Sequence, residues 1–208
     1  MQMSTLLRPL AVFAVALLTS CANVPSDFRF DPTKDEGLIV GSITYESALG
    51  LYSLVVTGTE PATAIARPTI NVGYSMYPAL GPTYDDMLKA KGGTFAVAVP
   101  AGSYKIVAWV ARQGVRVSSP SRRFEIPFVV ERGKASYVGN LNFSPDWEVS
   151  LRDQSVRDLP ALAAKYNVLQ AAPLAYTIAE GTDLRGLGGE YQSRFDYSSV
   201  PIFVPIKR

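Results

Sequence analysis

The 208-residue chain reads as a mainly β protein, an antiparallel β-sandwich of about seven to nine strands with one short C-terminal helix packed on it. Three observations carry that reading. Apolar residues recur with period two in several short runs, Pro-, Gly- and Asp-bearing turns separate those runs, and one segment has helical periodicity. The organising stretch is 93–112, GTFAVAVPAGSYKIVAWVAR. In it Phe95, Val97 and Val99 alternate with Ala96 and Ala98. After Pro100-Ala101-Gly102, Tyr104, Ile106, Ala108 and Val110 alternate with Lys105, Val107, Trp109 and Ala111. The pattern predicts a β-hairpin, because Pro100 presets φ in a turn and Gly102 supplies the positive φ that brings the chain back. The second arm is apolar on both faces, so it belongs in the interior.

Before this hairpin, 38–45 (LIVGSITY) reads as a strand with Gly41 at a bulge or facing close backbone, and 49–57 as a second strand joined to it. In 69–77, Ile70, Val72, Tyr74 and Met76 share one face of a half-solvated strand. Residues 78–92 form an excursion with a single helical turn at 86–91. After the hairpin, 112–123 is a loop bearing Arg112, Arg116, Arg122 and Arg123, whose planar forks suit phosphate or carboxylate on a lipid headgroup or a protein partner. No aromatic residues interleave with them, and the near-balance of 20 Lys and Arg against 18 Asp and Glu gives no reason for a nucleic-acid partner.

Residues 124–130 form a strand that Pro127 confines to an edge or bulge. In 135–143, Ala135, Tyr137, Gly139, Leu141 and Phe143 share a face opposite Asn140 and Asn142, and 147–151 returns as a second hairpin. The helix covers 159–166, with Asp158 as its cap and Pro160 in its first turn. A start at Ser155 places Pro160 deeper, where it costs a backbone bond. A last strand runs through 174–178, 180–196 is Gly-rich and irregular, and 201–205 is an apolar end bounded by prolines.

The N-terminal 20 residues, MQMSTLLRPLAVFAVALLTS, place Arg8 ahead of an apolar run too short to span a bilayer, followed by Cys21, the single cysteine. Leu18-Thr19-Ser20-Cys21 resembles a bacterial lipobox. The resemblance implies cleavage before Cys21 and a covalent lipid on its thiol and new amino group, which together hold a protein to a membrane stably. Ala22, where aspartate would favour inner-membrane retention, implies an outer-membrane address facing the periplasm. The organisation expected is a signal peptide at 1–20, a lipidated tether at 21–36 and a single sandwich with its helix and irregular tail at 37–208. Val99-Pro100-Ala101-Gly102-Ser103-Tyr104 resembles the turn of prealbumin-like and carboxypeptidase-regulatory-like sandwiches. GLIVGSITY and ASYVGNLNF also resemble segments of uncharacterised bacterial lipoproteins of that kind. What these resemblances imply is a binding scaffold, and they carry no catalytic residue onto this chain.

Histidine is absent from the sequence, and lipidation would use the one cysteine, which excludes Ser-His-Asp and Cys-His catalysis and the common zinc sites. Asp85 and Asp86 are adjacent and point apart in a strand; Asp31, Asp35 and Glu36 lack calcium-loop spacing. Gly186-Leu187-Gly188-Gly189 lacks the Lys and Ser/Thr of a phosphate loop, and no serine lies in a G-x-S-x-G elbow. No metal and no cofactor beyond the covalent lipid are expected. The function expected is therefore a membrane-anchored, non-catalytic binding or assembly module for another envelope component. The alternative is a periplasmic small-molecule, glycan or lipid-binding protein, with a carboxylate-based hydrolase third. Substituting Cys21→Ala is expected to move the folded protein from the membrane to the soluble fraction without lowering its melting temperature; a variant that stays in the membrane pellet overturns the lipid-anchor reading.

Overall fold

The computed structural model describes residues 23–46, 50–61, 63–64, 68–73 and 84–197, so the expected leader, Cys21 and the 201–205 segment lie outside the described residues. The architecture is mainly β, with two facing sheets, one α-helix and no closed barrel, as the alternation predicts. The first sheet contains β1 (Glu36–Tyr45), β4 (Tyr84–Asp85), β5 (Ala90–Pro100), β9 (Ala135–Phe143), β10 (Val149–Arg152), β11 (Leu174–Tyr176) and β12 (Asp183–Leu184). Their order is β12-β10-β9-β1-β5-β4, with β11 also running along β9. The second sheet has the order β13-β7-β6-β2-β3. It is built from β2 (Leu51–Gly58), β3 (Thr69–Gly73), β6 (Gly102–Gln113), β7 (Arg116–Pro120) and β13 (Tyr191–Phe195), with β8 (Ile126–Val130) on β6. The β1–β9 and β9–β11 pairs are parallel and the others antiparallel.

The central stretch is not a hairpin. Pro100 pairs with Glu36 in the first sheet and Gly102 with Val130 in the second, so Pro100-Ala101-Gly102 is a corner between sheets. Gly102 has φ +144°, and the Tyr104 hydroxyl donates to the Pro100 carbonyl at 2.7 Å, which ties the corner shut. A turn motif specifies that the chain reverses, not which neighbour each arm then bonds. Here β5 lies beside β1, and β6 beside β2, so each arm gains a partner in its own sheet. The link from β1 to β2 likewise crosses between sheets, whereas β9 and β10 form the expected hairpin, Val149 opposite Phe143.

Two irregularities exchange the faces of strands that read as regular. In β6, the register with β2 shifts between Val55 and Val56, leaving Val107 unopposed. Tyr104 and Ile106 before it, and Trp109 and Ala111 after it, all point into the core, while Ala108 and Val110 do not. In β9, the register with β1 shifts at Gly139, which has φ +94°. Tyr137 therefore faces outward, whereas Leu141 and Phe143 face the second sheet.

The inter-sheet core includes Ile39, Ile43, Phe95, Val97, Trp109, Leu141 and Phe143, each worth about 1.5–3 kcal/mol of burial. Trp109 Nε1 donates to the Leu187 carbonyl at 2.8 Å, so the Gly-rich tail closes the polar edge of that ring. The outer face of the first sheet carries a second cluster, Leu38, Val40, Ala96 and Tyr137, covered by Leu162 and Tyr166 from the helix region. Phe28 and Phe30 dock against the same cluster, and the Val24 amide bonds the Ala96 carbonyl at 2.8 Å.

The helix α1 (Ser155–Lys165) starts earlier than Asp158. Asp153 Oδ1 accepts the Ser155 amide at 3.0 Å, and Pro160 lies inside the helix. Its missing donor leaves the Val156 carbonyl without an i+4 partner at the solvated first turn, where Val156 is 92% exposed. Residues 86–89 form a turn between β4 and β5, not a helical turn, and 180–196 supplies β12 and β13. Gly139→Ala is expected to destabilise the fold by about 1–3 kcal/mol, because a Cβ at that φ lies 2.6 Å from Ile178 Cδ1 and 2.9 Å from the Arg152 carbonyl. Gly133→Ala, which meets nothing within 4 Å, should cost less in the same urea titration. Equal losses would remove the steric account of the bulge.

Candidate functional site

The outer face of the first sheet changes character along β1. Leu38 and Val40 lie under the helix, and the next two outward residues are Ser42 and Thr44. The bulge at Gly139 brings Asn140 and Asn142 of β9 alongside them. Asn140 Nδ2 donates to Ser42 Oγ at 2.7 Å, and Thr44 Oγ1 donates to Asn142 Oδ1 at 2.9 Å. These four residues are buried, and they bond one another across the strand pair. Cross-strand bonding of Asn140 and Asn142 is the role their position in the sequence suggests.

Ser42 links this patch to Asp158, the one fully buried carboxylate among the described residues. Asp158 Oδ2 accepts from Ser42 Oγ at 2.7 Å and from the Tyr137 hydroxyl at 2.9 Å. Its Oδ1 accepts from Arg157 Nε at 2.9 Å and from the terminal guanidinium nitrogen at 2.8 Å. Burial, reinforced by the adjacent Asp158 charge, pushes the Tyr137 phenol far above its ordinary range, so it stays protonated and donates. The Tyr137 oxygen in turn accepts the Gln154 amide at 3.2 Å, fixing the entry to α1. Burial raises Asp153, but the amides of Ser155 and Gly181 outweigh it and hold that carboxyl below the usual range.

Above this floor lies a basin of about 470 Å3. Its walls are Lys89 from the β4–β5 turn, Lys91 at the start of β5, Arg152 at the end of β10, Gln154 and Arg157 at the start of α1, and Glu46 after β1. Arg152 pairs with Asp183 at 3.3 Å. Lys89 and Lys91 are exposed and form no ion pair among the described residues. The basin therefore has a neutral hydrogen-bonding floor and a cationic rim, an arrangement that can bind a polar anion. It contains no nucleophile set against a base.

The four arginines of 112–123 lie elsewhere, around β7. Residues 116–120 are strand, paired with β13 along its full length. Arg112 forms an ion pair with Asp196 at 3.1 Å. Arg116 lies against the paired rings of Trp147 and Tyr191, 5.3 and 5.6 Å from their centroids, and Nε donates to Ser193 Oγ at 3.1 Å. Both residues thus fasten β13 to the sheet, while Arg122 and Arg123 are exposed after β7. The acidic pairs serve their own loops: Asp85 Oδ1 accepts the amides of Met87 and Leu88, and Asp31 Oδ1 accepts from Thr33. No group of three metal-ligating side chains occurs among the described residues, and none of their helices is long and apolar enough to cross a membrane.

No family model and no curated protein matches the chain. Among solved structures, a leucine-rich repeat protein from Bacteroides thetaiotaomicron is similar over 64% of this chain, at 19% identity and a TM-score of 0.27. The match spans 16% of that protein's length.

The face shared by Asn140 and Asn142 is legible in the alternation of 135–143, whereas the role of Asp158 is not. The available signal was Ser42 and Thr44, two polar residues on the face of β1 that begins Leu38, Val40. Replacing Asp158→Asn keeps the volume but strands the Arg157 charge, so it should cost about 3–5 kcal/mol. Tyr137→Phe removes one bond to the carboxylate, which keeps its other partners, and the acceptor of the Gln154 amide, and should cost about 1–3 kcal/mol. Denaturant titrations of the two variants test the order, and a Tyr137→Phe loss equal to or larger than that of Asp158→Asn would refute the charge-pair account.

Proposed function

We propose that the chain is a membrane-anchored periplasmic lipoprotein whose sandwich acts as a non-catalytic binding module for another envelope protein. The observation that supports this most is the free edge of β13. The Asp196 amide bonds the Val115 carbonyl, and the Glu190 carbonyl accepts from Ser121, so the even-numbered positions of β13 face β7. The backbone groups of Tyr191, Ser193 and Phe195 then point away from the sheet, where β13 pairs with no other strand among the described residues.

Exposed edges are normally blunted, because they template pairing with another chain. This one is flanked by large exposed rings: Phe195 and Tyr197 stack with centroids 6.3 Å apart, each 66% exposed. The partner chemistry it fits is an extended strand that adds to β13 and lays apolar side chains on that pair. Arg194 is exposed on β13, and Arg122 and Arg123 are exposed just after Ser121, which bonds Glu190 just before β13; all three favour acidic residues in the added segment. The lipid-anchored address, read from the resemblance of 18–21 to a lipobox, would confine both partners to one surface.

Capture of the full-length protein from mildly solubilised membranes, with quantitative mass spectrometry, is expected to recover one envelope protein near unit stoichiometry. Phe195→Pro should abolish that recovery. Proline is tolerated where the lost amide faces solvent at an edge, so the fold should survive. Val156→Ser, at an exposed residue of α1, should leave recovery unchanged. No stoichiometric partner, or equal recovery with Phe195→Pro, overturns the reading.

A further inference from the structure

The basin on the first sheet is separate from the β13 edge and has a chemistry of its own. From it we infer that this protein binds a small polyhydroxylated ligand carrying an oxyanion, a phosphate or carboxylate on a sugar-like body, between the β4–β5 turn and the start of α1. This inference does not depend on the protein-partner reading.

The floor supplies the neutral contacts. Asn142 is more than nine-tenths buried and lines the basin. Its Oδ1 is engaged by Thr44, while Nδ2 bonds no group among the described residues and is left as a donor at the basin floor. That amide reaches the basin and can donate to a ligand hydroxyl. The side chain of Gln154, which also makes no bond among the described residues, adds a donor and an acceptor at the wall. Such amides suit alcohol groups, which need a partner for both the proton and the lone pairs.

The rim supplies the charge. Lys89, Lys91, Arg152 and Arg157 face one acid, Glu46. Arg152 and Arg157 are partly neutralised by Asp183 and Asp158, so the uncompensated charge is concentrated on Lys89 and Lys91. The turn that ends at Lys89 is fixed, since Asp85 Oδ1 takes two of its amides, Leu88 is buried and Lys89 itself has φ +51°, and Lys91 lies in β5 opposite Tyr84. A preorganised pair of lysines beside a concave polar floor orients an oxyanion at one end of a ligand and hydroxyls at the other. Among the described residues the one aromatic that lines the basin, Tyr45, is buried and stacked on Tyr52 at 4.2 Å, and so presents no open face to a ligand.

The test is calorimetric titration of the full-length chain, purified in detergent, with glucose 6-phosphate, glucuronate, glucose and inorganic phosphate. At least one of the two acid sugars should bind saturably, and glucose and inorganic phosphate should each bind at least about tenfold more weakly, since each lacks one half of the contacts. The tighter acid identifies the source of the oxyanion. The double variant Lys89→Gln/Lys91→Gln should weaken the acid sugar by about tenfold or more while preserving the melting temperature, because both side chains are exposed and unpaired. Failure of both acid sugars to bind overturns the inference. So does binding of inorganic phosphate as tight as theirs, which marks a simple ion site, or an affinity unchanged in the double variant. Membrane capture of a partner protein is read independently, so either result can fail alone.

Discussion

A sheet covered on both faces has few places to put a polar side chain, and the first sheet of this protein meets that constraint with one buried carboxylate. Its inner face packs against the second sheet and its outer face lies largely under α1 and the 24–30 segment. Asp158 projects from the helix onto the strands, where Ser42, Tyr137 and Arg157 all donate to it. An unpaired buried charge would cost several kcal/mol, so the four groups have to be assembled together or not at all. That requirement sets how the helix sits on the sheet. Apolar contacts between Leu162, Tyr166 and the strands could slide; a carboxylate with directed donors on two different strands cannot.

The same constraint explains what could be read from the residues and what could not. Alternation located β1, β2, β9 and β10 and the mainly β class, because a period of two survives any choice of neighbours. It did not disclose strand partners. Pro100-Ala101-Gly102 looks like a hairpin turn, and the physics of the turn is satisfied equally by a corner; the choice rests on the edges that β1 and β2 present from far away in sequence. Nor did it disclose bulges. One unopposed residue reverses the parity of everything after it, so Trp109 appeared on the wrong face of β6, and Tyr137 appeared to share a face with Leu141.

Asp158 shows the limit most directly. An aspartate two residues before a proline is a good local cap, and local chemistry favours starting the helix there. The start at Ser155 sacrifices an internal backbone bond at Pro160, yet it carries Asp158 inward to two donors, Tyr137 and Ser42, that lie 21 and 116 positions away in sequence. Long-range hydrogen bonding outweighs the local preference, and no window around 158 contains that information. The candidate basin was hidden for the same reason: Lys89, Asn142, Arg152 and Arg157 meet because β4–β5, β9, β10 and α1 converge on one end of one sheet face.

The docked N-terminal segment bears on how such a domain would sit at a membrane. Residues 21–36 have the composition of a loose tether, but Asn23 Oδ1 accepts the Ala96 amide at 3.0 Å and Val24 bonds the Ala96 carbonyl. If Cys21 carries the lipid, the chain between the anchor and the first docked residue spans at most about 7 Å when fully extended. A linker that short would hold the body close to the bilayer. The edge of β13 and the basin would then each keep a restricted orientation relative to the bilayer, and a partner or ligand would be met at the membrane surface. Effective concentration at that surface, set by the short span, would raise the occupancy of a weak edge contact without any enlargement of the interface.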